Sequence, residues 1–489
     1  MTLVAGIDSS TQSTKVELRD LESGRLVAVG RSAHRLSGVP PVSEQDPAMW
    51  WDALVEAFGQ VGEHLADVVA IAVAGQQHGL VVLDADGAVI RPAKLWNDTT
   101  SAPQAAALVE RLGPTAWADA SGLVPVASFT ITKLAWLAEH EPAALARVRR
   151  IMLPHDYLTW RLTGAHATDR GDASGTGWWD PGSGAYRADL LGMVVSDAEA
   201  WIERLPTVLG PTEPAGTVLP EVAADVGLRG EVVVGPGTGD NMAAALGLGL
   251  RPGDVAMSLG TSGTVFAVSS QRTTDPSGVV AGFADATGRF LPLVATLNAT
   301  RVTDAVAGWL GLDREAAARL ALEAPPRDDL VLVPYFDGER SPNLPGAAGV
   351  WTGLRTASTR GDLAASAHLG VICGLLDGVD ALVAVGLDAG GDLSLVGGGA
   401  RSPAYRQLLA DAWGQPIRVP DVEESVATGA AVQAAATHGQ DDLGAVATRW
   451  GLGGGAMVNP RPGGGSAGIR SAYRRAAAMV AQDASEPRT

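Results

Sequence analysis

One structural pattern occurs twice in this chain, about half its length apart: a short apolar strand, a turn rich in Ser, Thr or Gly, and a returning strand. The first copy spans residues 3–18, and the second spans residues 255–266. Aligning Thr261 with Thr11 places Ser258 opposite Asp8. A repeat at this separation indicates an internal duplication, and therefore two domains built on the same plan.

The length of the chain supports this interpretation, because 489 residues exceed what one ordinary hydrophobic core supports. A boundary near residue 246 gives two α/β domains of similar size, residues 1–246 and residues 247–489. In the first half, local patterns predict a helix capped by Asp46 with Pro47 in its first turn, a strand at 68–74, a helix at 153–162 and a loop at 169–177. In the second half, they predict a strand at 393–396, a helix from Ser402-Pro403 to about Trp413 and a helix from Ser425. A linker around Pro460 to Gly465 and a surface helix are predicted to follow.

Composition excludes several classes of protein. With 54 acidic and 36 basic residues the net charge is -18, which makes the chain a poor general binder of nucleic acid or of anionic membranes. The single cysteine, Cys373, excludes a disulfide framework and a multi-cysteine zinc site. No apolar run approaches the ~18 residues of a membrane span, and the N-terminus lacks the basic region of a signal peptide. We therefore predict a cytoplasmic protein.

Three turns that follow predicted strands are candidate phosphate sites: residues 9–14, residues 260–264 and residues 397–400. Such turns expose consecutive backbone N–H groups that cradle anions, and glycine allows the backbone to approach a phosphate closely. Any one of them is more readily explained as a simple turn. Three at strand ends, two of them related by the repeat, favour a nucleotide site built from amides, hydroxyls and Mg²⁺, which suits a chain with only three lysines.

Two aspartates beside these features have two interpretations each. Asp8 ends a buried strand, where it can hold Mg²⁺ or cap the turn through its side chain. Asp240 lies where a glycine-rich loop enters an apolar helix, so it is either a helix N-cap or a general base for phosphoryl transfer.

Polar and aromatic residues at two strand ends suit a small polyol. Gln77 and His78 lie between Gly75 and Gly79, and Trp96 provides a flat apolar face beside an amide and a carboxylate. The alternatives are a hydrogen-bonded structural histidine and a core tryptophan.

Three segments carry a resemblance to a known family: residues 128–140, residues 335–342, and residues 349–354 followed by Asp362-Leu363. On these segments the sequence resembles the FGGY family of carbohydrate kinases, to about residue 440. The resemblance implies an α/β fold in which two ribonuclease-H-like domains, of the actin and Hsp70 type, flank a deep catalytic cleft. ATP and Mg²⁺ are the implied cofactors.

The resemblance also implies roles for individual residues. Asp240 is the implied catalytic base, and Asp8 supports the phosphate and shares Mg²⁺ with Asp240. The implied sugar-binding residues are Gln77, His78, Trp96, Asp240 and Asn241. The implied ATP-binding residues are Thr11, Gly260, Thr261, Gly398, Gly399, Ala400 and Ser402.

The implied activity is phosphorylation of D-xylulose to D-xylulose 5-phosphate in D-xylose catabolism. Gln77 stands where many relatives with that substrate have Met, and Thr100 stands where Arg is common, so ribulose, another ketose or a polyol is the alternative substrate. His368-Leu369 replaces an apolar-acidic pair, which we interpret as a change on a helix face away from the chemistry. An alternative of another class is a non-enzymatic actin-like ATP-binding module, against which the intact Asp8 and Asp240 pair argues. The expected partners are a small-molecule sugar and ATP, without nucleic acid or membrane, and a homodimer is one open possibility.

Overall fold

The computed structural model describes residues 1–35, 39, 41–325, 327–463 and 467–485. They form two compact units, each discontinuous in sequence. The first unit contains residues 1–250, 270–291 and 422–453, and the second contains residues 251–269, 292–421 and 454–489. The division into 1–246 and 247–489 treats each domain as one continuous segment and stays a prediction.

The first unit is organised around a mixed sheet. Its central strand, Leu3–Ser9, pairs antiparallel with Ser13–Asp20 and parallel with Val68–Gly75. Leu26–Ala33 continues the antiparallel side, and Thr238–Gly239 pairs parallel with Val68–Gly75 on the other. The remaining strands of the unit are Glu44–Gln45, Val81–Leu83, Ala93–Lys94, Arg150–Met152, Ala167–Asp169, Trp179–Asp180, Ala185–Tyr186, Thr207–Leu209, Gly216–Thr217, Val233–Val234 and Ala281–Ala284.

Helices cover the apolar faces of this sheet. The helix Pro47–Gln60 begins as expected, because the Asp46 side chain accepts a hydrogen bond from the Ala48 N–H. The other helices of the unit are Ala102–Leu112, Pro114–Ser121, Thr130–His140, Pro142–Arg147, Pro154–Thr163, Arg170–Ser174, Ala188–Leu191, Ala198–Ile202, Pro220–Val226, Asp240–Gly247, Ser425–Gly439 and Leu443–Arg449, with a 3₁₀ turn at Gly62–Asp67.

The second unit repeats the pairing scheme of the first. Val255–Leu259 pairs antiparallel with Gly263–Ala267 and parallel with Leu393–Val396, and Phe290–Thr296 extends the antiparallel side. The sheet continues through Ile417–Pro420 to Gly455–Val458. The predicted duplication is therefore confirmed at the level of sheet topology. The remaining elements are the strands Val331–Val333 and Val350–Thr352, the helices Thr300–Trp309, Arg314–Glu323, Arg360–Ala384, Pro403–Trp413 and Ala467–Ser485, and a 3₁₀ turn at Gly398–Arg401.

The helix Ser425–Gly439 returns to the first unit and packs through small residues. A Cβ on Gly429 would lie 1.8 Å from the Ala243 carbonyl oxygen, on the helix that Asp240 begins. A Cβ on Gly6, in the central strand, would lie 2.0 Å from the Ala427 carbonyl oxygen. Glycine at these positions permits the close approach of helix to helix and of helix to strand.

Three expectations need correction. The polar stretch 169–177 is not all loop: it contains the end of the strand Ala167–Asp169 and the helix Arg170–Ser174, whose N-cap is Asp169. The last helix is not simply a surface helix, because Ile469 and Tyr473 are buried in the core of the second unit. The linker predicted before it extends to Gly464 and Gly465, which lie outside the described residues.

The third correction concerns the prediction that no apolar segment is long enough to cross a membrane. By length and composition, the helix Arg360–Ala384 could cross one. However, 61% of its most apolar window is buried inside the protein. Cys373 belongs to a core cluster with Tyr335 and Tyr473, so this is a core helix and weak evidence for a membrane span.

Candidate active site

Three neighbouring parallel strands of the first unit bring the predicted catalytic and sugar residues to one edge of the sheet. In the strand register, both Ser9 and Gly239 lie opposite Gly75. Asp8 therefore lies at the end of the first strand, Gln77 just beyond the second, and Asp240 just beyond the third. Ligands of α/β sheets bind outside the carboxyl ends of parallel strands.

Asp8 is buried beside a cation and keeps one oxygen unpaired. Its Oδ2 lies 3.6 Å from the Lys15 Nζ, and Lys15 also forms an ion pair with Glu424. Its Oδ1 has no hydrogen-bond partner in the described part of the chain. Burial raises the pKa of Asp8 to about 6, although Lys15 opposes the shift. No N–H of the adjoining described turn hydrogen-bonds to Asp8, so the structure does not support the turn-cap alternative.

Asp240 is the first residue of the helix Asp240–Gly247, and Gly239 occupies the N-cap position. The N-cap alternative for Asp240 is therefore wrong. The Asn241 backbone N–H and side-chain Nδ2 both donate to the Asp240 Oδ1 at 2.8 Å. Burial, followed by the nearby charges of Asp8 and Asp172, raises the pKa of Asp240 to about 7. A carboxylate with a pKa near neutrality is suited to accept a proton from a hydroxyl.

Gln77 connects the predicted sugar residues to Asp240. The Asn241 Nδ2 donates to the Gln77 Oε1 at 3.0 Å, so Gln77, Asn241 and Asp240 form one hydrogen-bonded chain. Gln77 is 4% exposed, and its Nε2 has no partner among the described residues.

His78 has a left-handed backbone, with φ of 66°. Non-glycine residues rarely adopt this conformation, and the strain concentrates at functional sites. Its ring lies 5.1 Å from the Phe129 ring and 5.5 Å from the Phe283 ring, centroid to centroid. The Thr130 hydroxyl donates to the His78 carbonyl at 3.2 Å.

Trp96 lies with the first phosphate turn. Its Nε1 donates to the Thr11 hydroxyl at 3.0 Å, and that hydroxyl lies 3.1 Å from the Gln76 Oε1. The structure therefore joins Trp96 to Thr11 and to the neighbour of Gln77, and no direct hydrogen bond links Trp96 to Gln77.

In the second unit the two remaining turns are neighbours, because the strands that precede them are paired in parallel. The Thr300 N–H and hydroxyl donate to the Gly260 carbonyl at 3.0 and 2.8 Å, which fixes the turn that contains Thr261. Apart from its two chain neighbours, no described residue has a heavy atom within 4 Å of a Cβ built on Gly398, so this backbone is open to a ligand.

The turn at residues 397–400 leads into the helix Pro403–Trp413. Gly399 packs against Leu259, the Ala400 carbonyl accepts a hydrogen bond from Arg406, and Ser402 is the N-cap residue of the helix Pro403–Trp413. The Ser402 hydroxyl is buried and has no partner among the described residues.

Sequence reasoning missed a buried charged cluster behind the same strand ends. His155 is fully buried, with its Nδ1 2.7 Å from the Asp172 Oδ2 and its Nε2 3.1 Å from the Asp156 Oδ1. Asp169 lies 3.8 Å from the Nε2 and accepts a hydrogen bond from the Thr238 hydroxyl at 2.7 Å. Three acids within 17 residues of one histidine are the signal available in the sequence, but the polar, glycine-containing stretch 169–177 favours a loop.

Comparisons with known proteins identify the family. The N-terminal domain of the FGGY family of carbohydrate kinases matches residues 3–247, and the C-terminal domain matches residues 255–438. The chain belongs to the FGGY family of carbohydrate kinases. It is therefore an ATP-dependent carbohydrate kinase with two mixed α/β domains and an actin-like fold. The alternative of a non-enzymatic actin-like module is not supported.

Relatives within this FGGY family are similar over nearly the whole chain. A xylulose kinase of Streptomyces coelicolor is 50% identical over 458 residues, covering 94% of this chain and 92% of that protein. A xylulose kinase of Streptomyces rubiginosus is 50% identical over 449 residues, covering 92% and 90%. The crystal structure of xylulose kinase from Bifidobacterium adolescentis has a TM-score of 0.86 at 41% identity, covering 97% of this chain and 99% of that chain.

Proposed function

We propose that this FGGY kinase transfers the γ-phosphate of ATP to D-xylulose and forms D-xylulose 5-phosphate, within D-xylose catabolism. The 50% identity to xylulose kinases over 94% of the chain carries the choice of substrate. The geometry of the first unit supports the chemistry, because a carboxylate whose pKa is near neutrality lies in a hydrogen-bonded chain with polar side chains suited to a polyol.

Asp240 is the general base in this proposal. The 5-hydroxyl of the ketose forms the new O–P bond, its proton passes to the Asp240 carboxylate, and ADP leaves with the electrons of the broken P–O bond. Asn241 donates two hydrogen bonds to the Asp240 Oδ1 and thereby holds the carboxylate in one orientation. Positioning and charge stabilisation supply most of the catalysis in phosphoryl transfer.

The residues at the sheet edge fit a Mg²⁺ ion, which we assign to Asp8 and Asp240. Asp8 keeps an unpaired buried oxygen, and the charge of Asp8 raises the pKa of Asp240, so a cation there would relieve an electrostatic cost. Among the described residues no group of three or more His, Cys, Asp or Glu side chains forms a metal cage. Mg²⁺ bound mainly through phosphate and water needs only one or two carboxylates, and it supplies charge neutralisation for the phosphates.

Separate sets of residues bind the two substrates. The sugar is bound by Gln77, His78, Trp96 and Asn241. ATP is bound by Thr11, Gly260, Thr261, Gly398, Gly399, Ala400 and Ser402. The open backbone at Gly398 and the unpaired Ser402 hydroxyl support the ATP assignment. A cytoplasmic location is part of the proposal, because ATP is available there and the apolar helix Arg360–Ala384 is a core element.

An ADP-release assay over D-xylulose, D-ribulose, L-ribulose, xylitol and glycerol tests the substrate. We expect D-xylulose to give the highest kcat/KM, and a higher value for another sugar would contradict the assignment. Gln77→Met removes the unpaired Nε2 and introduces the residue common among relatives with this substrate. This variant should still phosphorylate D-xylulose, at a reduced kcat/KM because the donor is lost, and it should change the ranking of the competing ketoses. An altered KM for ATP alone would remove Gln77 from the sugar site.

A further inference from the structure

His155 lies between the two strand ends that lead into the predicted site. A Cβ on Gly75, just before the segment containing Gln77 and His78, would lie 3.1 Å from the His155 Cβ. A Cβ on Gly237, three residues before Asp240, would lie 2.4 Å from the His155 Cδ2. A side chain at Gly237 would therefore clash with the ring, and one at Gly75 would press tightly on the His155 Cβ.

The ring of His155 is charged. Burial alone lowers the pKa of His155, but the carboxylates of Asp156, Asp172 and Asp169 raise it to about 10. His368, a buried histidine of the second unit whose Nδ1 lies 2.8 Å from the Ala364 carbonyl, has a pKa lowered by burial. Burial favours the neutral form of both histidines, and the three carboxylates around His155 outweigh it and keep that ring protonated.

The charged ring fixes the orientation of Asp172. The His155 Nδ1 carries a hydrogen and donates it to the Asp172 Oδ2 at 2.7 Å. The second oxygen, Oδ1, is buried and has no partner in the described part of the chain. It points toward Gly239, where a Cβ would lie 2.9 Å from the Asp172 Oδ1 and 2.8 Å from the Gln77 Cδ.

The unpaired Asp172 Oδ1 and the side-chain amide of Gln77, whose Nε2 is also unpaired among the described residues, therefore both lie beside Gly239, the residue before the proposed catalytic base. The Asp172 Oδ1 can only accept a hydrogen bond, and the Gln77 Nε2 can only donate one. Buried polar atoms without partners are rare and costly in natural proteins, and each such site calls for an explanation. A hydroxyl group both donates and accepts, so one hydroxyl complements this pair.

We propose that Asp172, oriented by His155, is a specificity-determining residue of the sugar site, and that its Oδ1 together with the Gln77 Nε2 binds one hydroxyl of the sugar substrate. The inference rests on the proposed function only in taking that substrate to be D-xylulose. It assigns Asp172 a direct contact with the sugar and His155 the role of a positioning residue.

Asp172→Asn tests the assignment, because it keeps the shape of the side chain. The protonated His155 donates to whichever atom faces it, so the asparagine must turn its oxygen toward the ring and present an NH₂ group to the sugar. The acceptor at the sugar side is then replaced by a donor. We expect kcat/KM for D-xylulose to fall ~10-fold or more, with little change in the KM for ATP.

Deoxy substrates separate a direct contact from a general disturbance of the fold. The 1-, 3- and 4-deoxy analogues of D-xylulose keep the reacting 5-hydroxyl. In the wild type, the analogue that lacks the bound hydroxyl should show a kcat/KM reduced roughly 10-fold or more. In Asp172→Asn that same analogue should lose little further activity, while the other two decline in parallel with D-xylulose. An equal loss for all four substrates, or no loss for any of them, would overturn the proposal.

Two further variants test the other member of the proposed pair and provide a control. Gln77→Leu removes the donor of the same pair, so it should single out the same deoxy analogue, and it decides the matter if Asp172→Asn does not fold. Asp156→Asn removes the carboxylate beside the other ring nitrogen of the same histidine, Nε2, and the relative activities on the four sugars should be unchanged. If Gln77→Leu singles out a different analogue, the two side chains do not share a hydroxyl and the proposal fails. If the wild type phosphorylates another ketose instead, the proposed function fails and the deoxy series of that ketose tests Asp172.

Discussion

Asp240→Asn should make the enzyme much slower and, at the same time, more stable. The asparagine oxygen can keep both hydrogen bonds that Asn241 donates at 2.8 Å, so the local structure is preserved. What is lost is the basic oxygen, and removal of a general base typically costs ~10²–10⁴-fold in rate. The KM values for ATP and for the ketose should change much less than kcat.

The gain in stability follows from the pKa of Asp240. Burial and the charges of Asp8 and Asp172 raise it from 3.8 to about 7, so the folded protein holds the proton more tightly than the unfolded chain does. Above pH 7 the charged carboxylate therefore destabilises the folded state, by up to about 4 kcal/mol at 1.36 kcal/mol for each pKa unit. This cost decreases as the pH falls through about 7 and disappears below the pKa of the unfolded chain.

Urea denaturation of the metal-free protein in EDTA measures this effect. At pH 8 the Asp240→Asn variant should unfold at a higher urea concentration than the wild type, and at pH 4 the two midpoints should converge. Near wild-type turnover would falsify the base assignment. A variant less stable than the wild type at pH 8 would refute the electrostatic reasoning.

Three further predictions follow from the geometry. Asp8→Ala should impair turnover and alter its Mg²⁺ dependence while leaving ketose binding without nucleotide nearly unchanged; a sharp fall in ketose affinity, measured by calorimetry, would instead place Asp8 in the sugar site. His78→Ala should lower kcat/KM for D-xylulose ~10-fold or more with a nearly constant KM for ATP, in steady-state kinetics on both substrates, and an effect confined to ATP would exclude this role. Gly429→Ala should lower the free energy of unfolding by ~1–3 kcal/mol or more, because its Cβ would lie 1.8 Å from the Ala243 carbonyl oxygen. The matched control is Gly308→Ala, whose added Cβ has no atom of another described residue within 4 Å beyond its chain neighbours and the backbone of its own helix. It should be neutral or slightly stabilising, so equal destabilisation of both variants in urea would contradict the packing argument.

The elements that could be predicted from the sequence are those whose signals are local. The two strand–turn–strand copies, the cap of Asp46 on Pro47–Gln60, and the helix Pro403–Trp413 ending at Gly414 each depend on neighbouring residues. The helix Arg170–Ser174 was missed because five residues are too few to show a periodicity.

The strand-end positions of three candidate site residues were predictable from the sequence, but their electrostatics were not. Asp8, Gln77 and Asp240 were found at strand ends, and the register of the sheet places them at one edge. The proton on His155 depends on three acids that meet in space, one of them 17 residues away, and a sequence does not show which carboxylates are buried together. The charge of Lys15 beside Asp8 was missed for the same reason, although the antiparallel pairing places the two residues opposite each other.

The late return of the helix Ser425–Gly439 to the first unit has a consequence for synthesis of the chain on the ribosome. The central strand and the helix that begins with Asp240 are made first, but the small residues that cover them belong to residues 422–453. At 5–20 residues per second, translation of residues 251–421 takes roughly 10–30 s. During that interval the newly made first unit exposes the surface on which Gly429 and Ala427 later pack. A chain truncated before residue 422 therefore lacks the small residues that cover the central strand, and its first unit cannot complete its core.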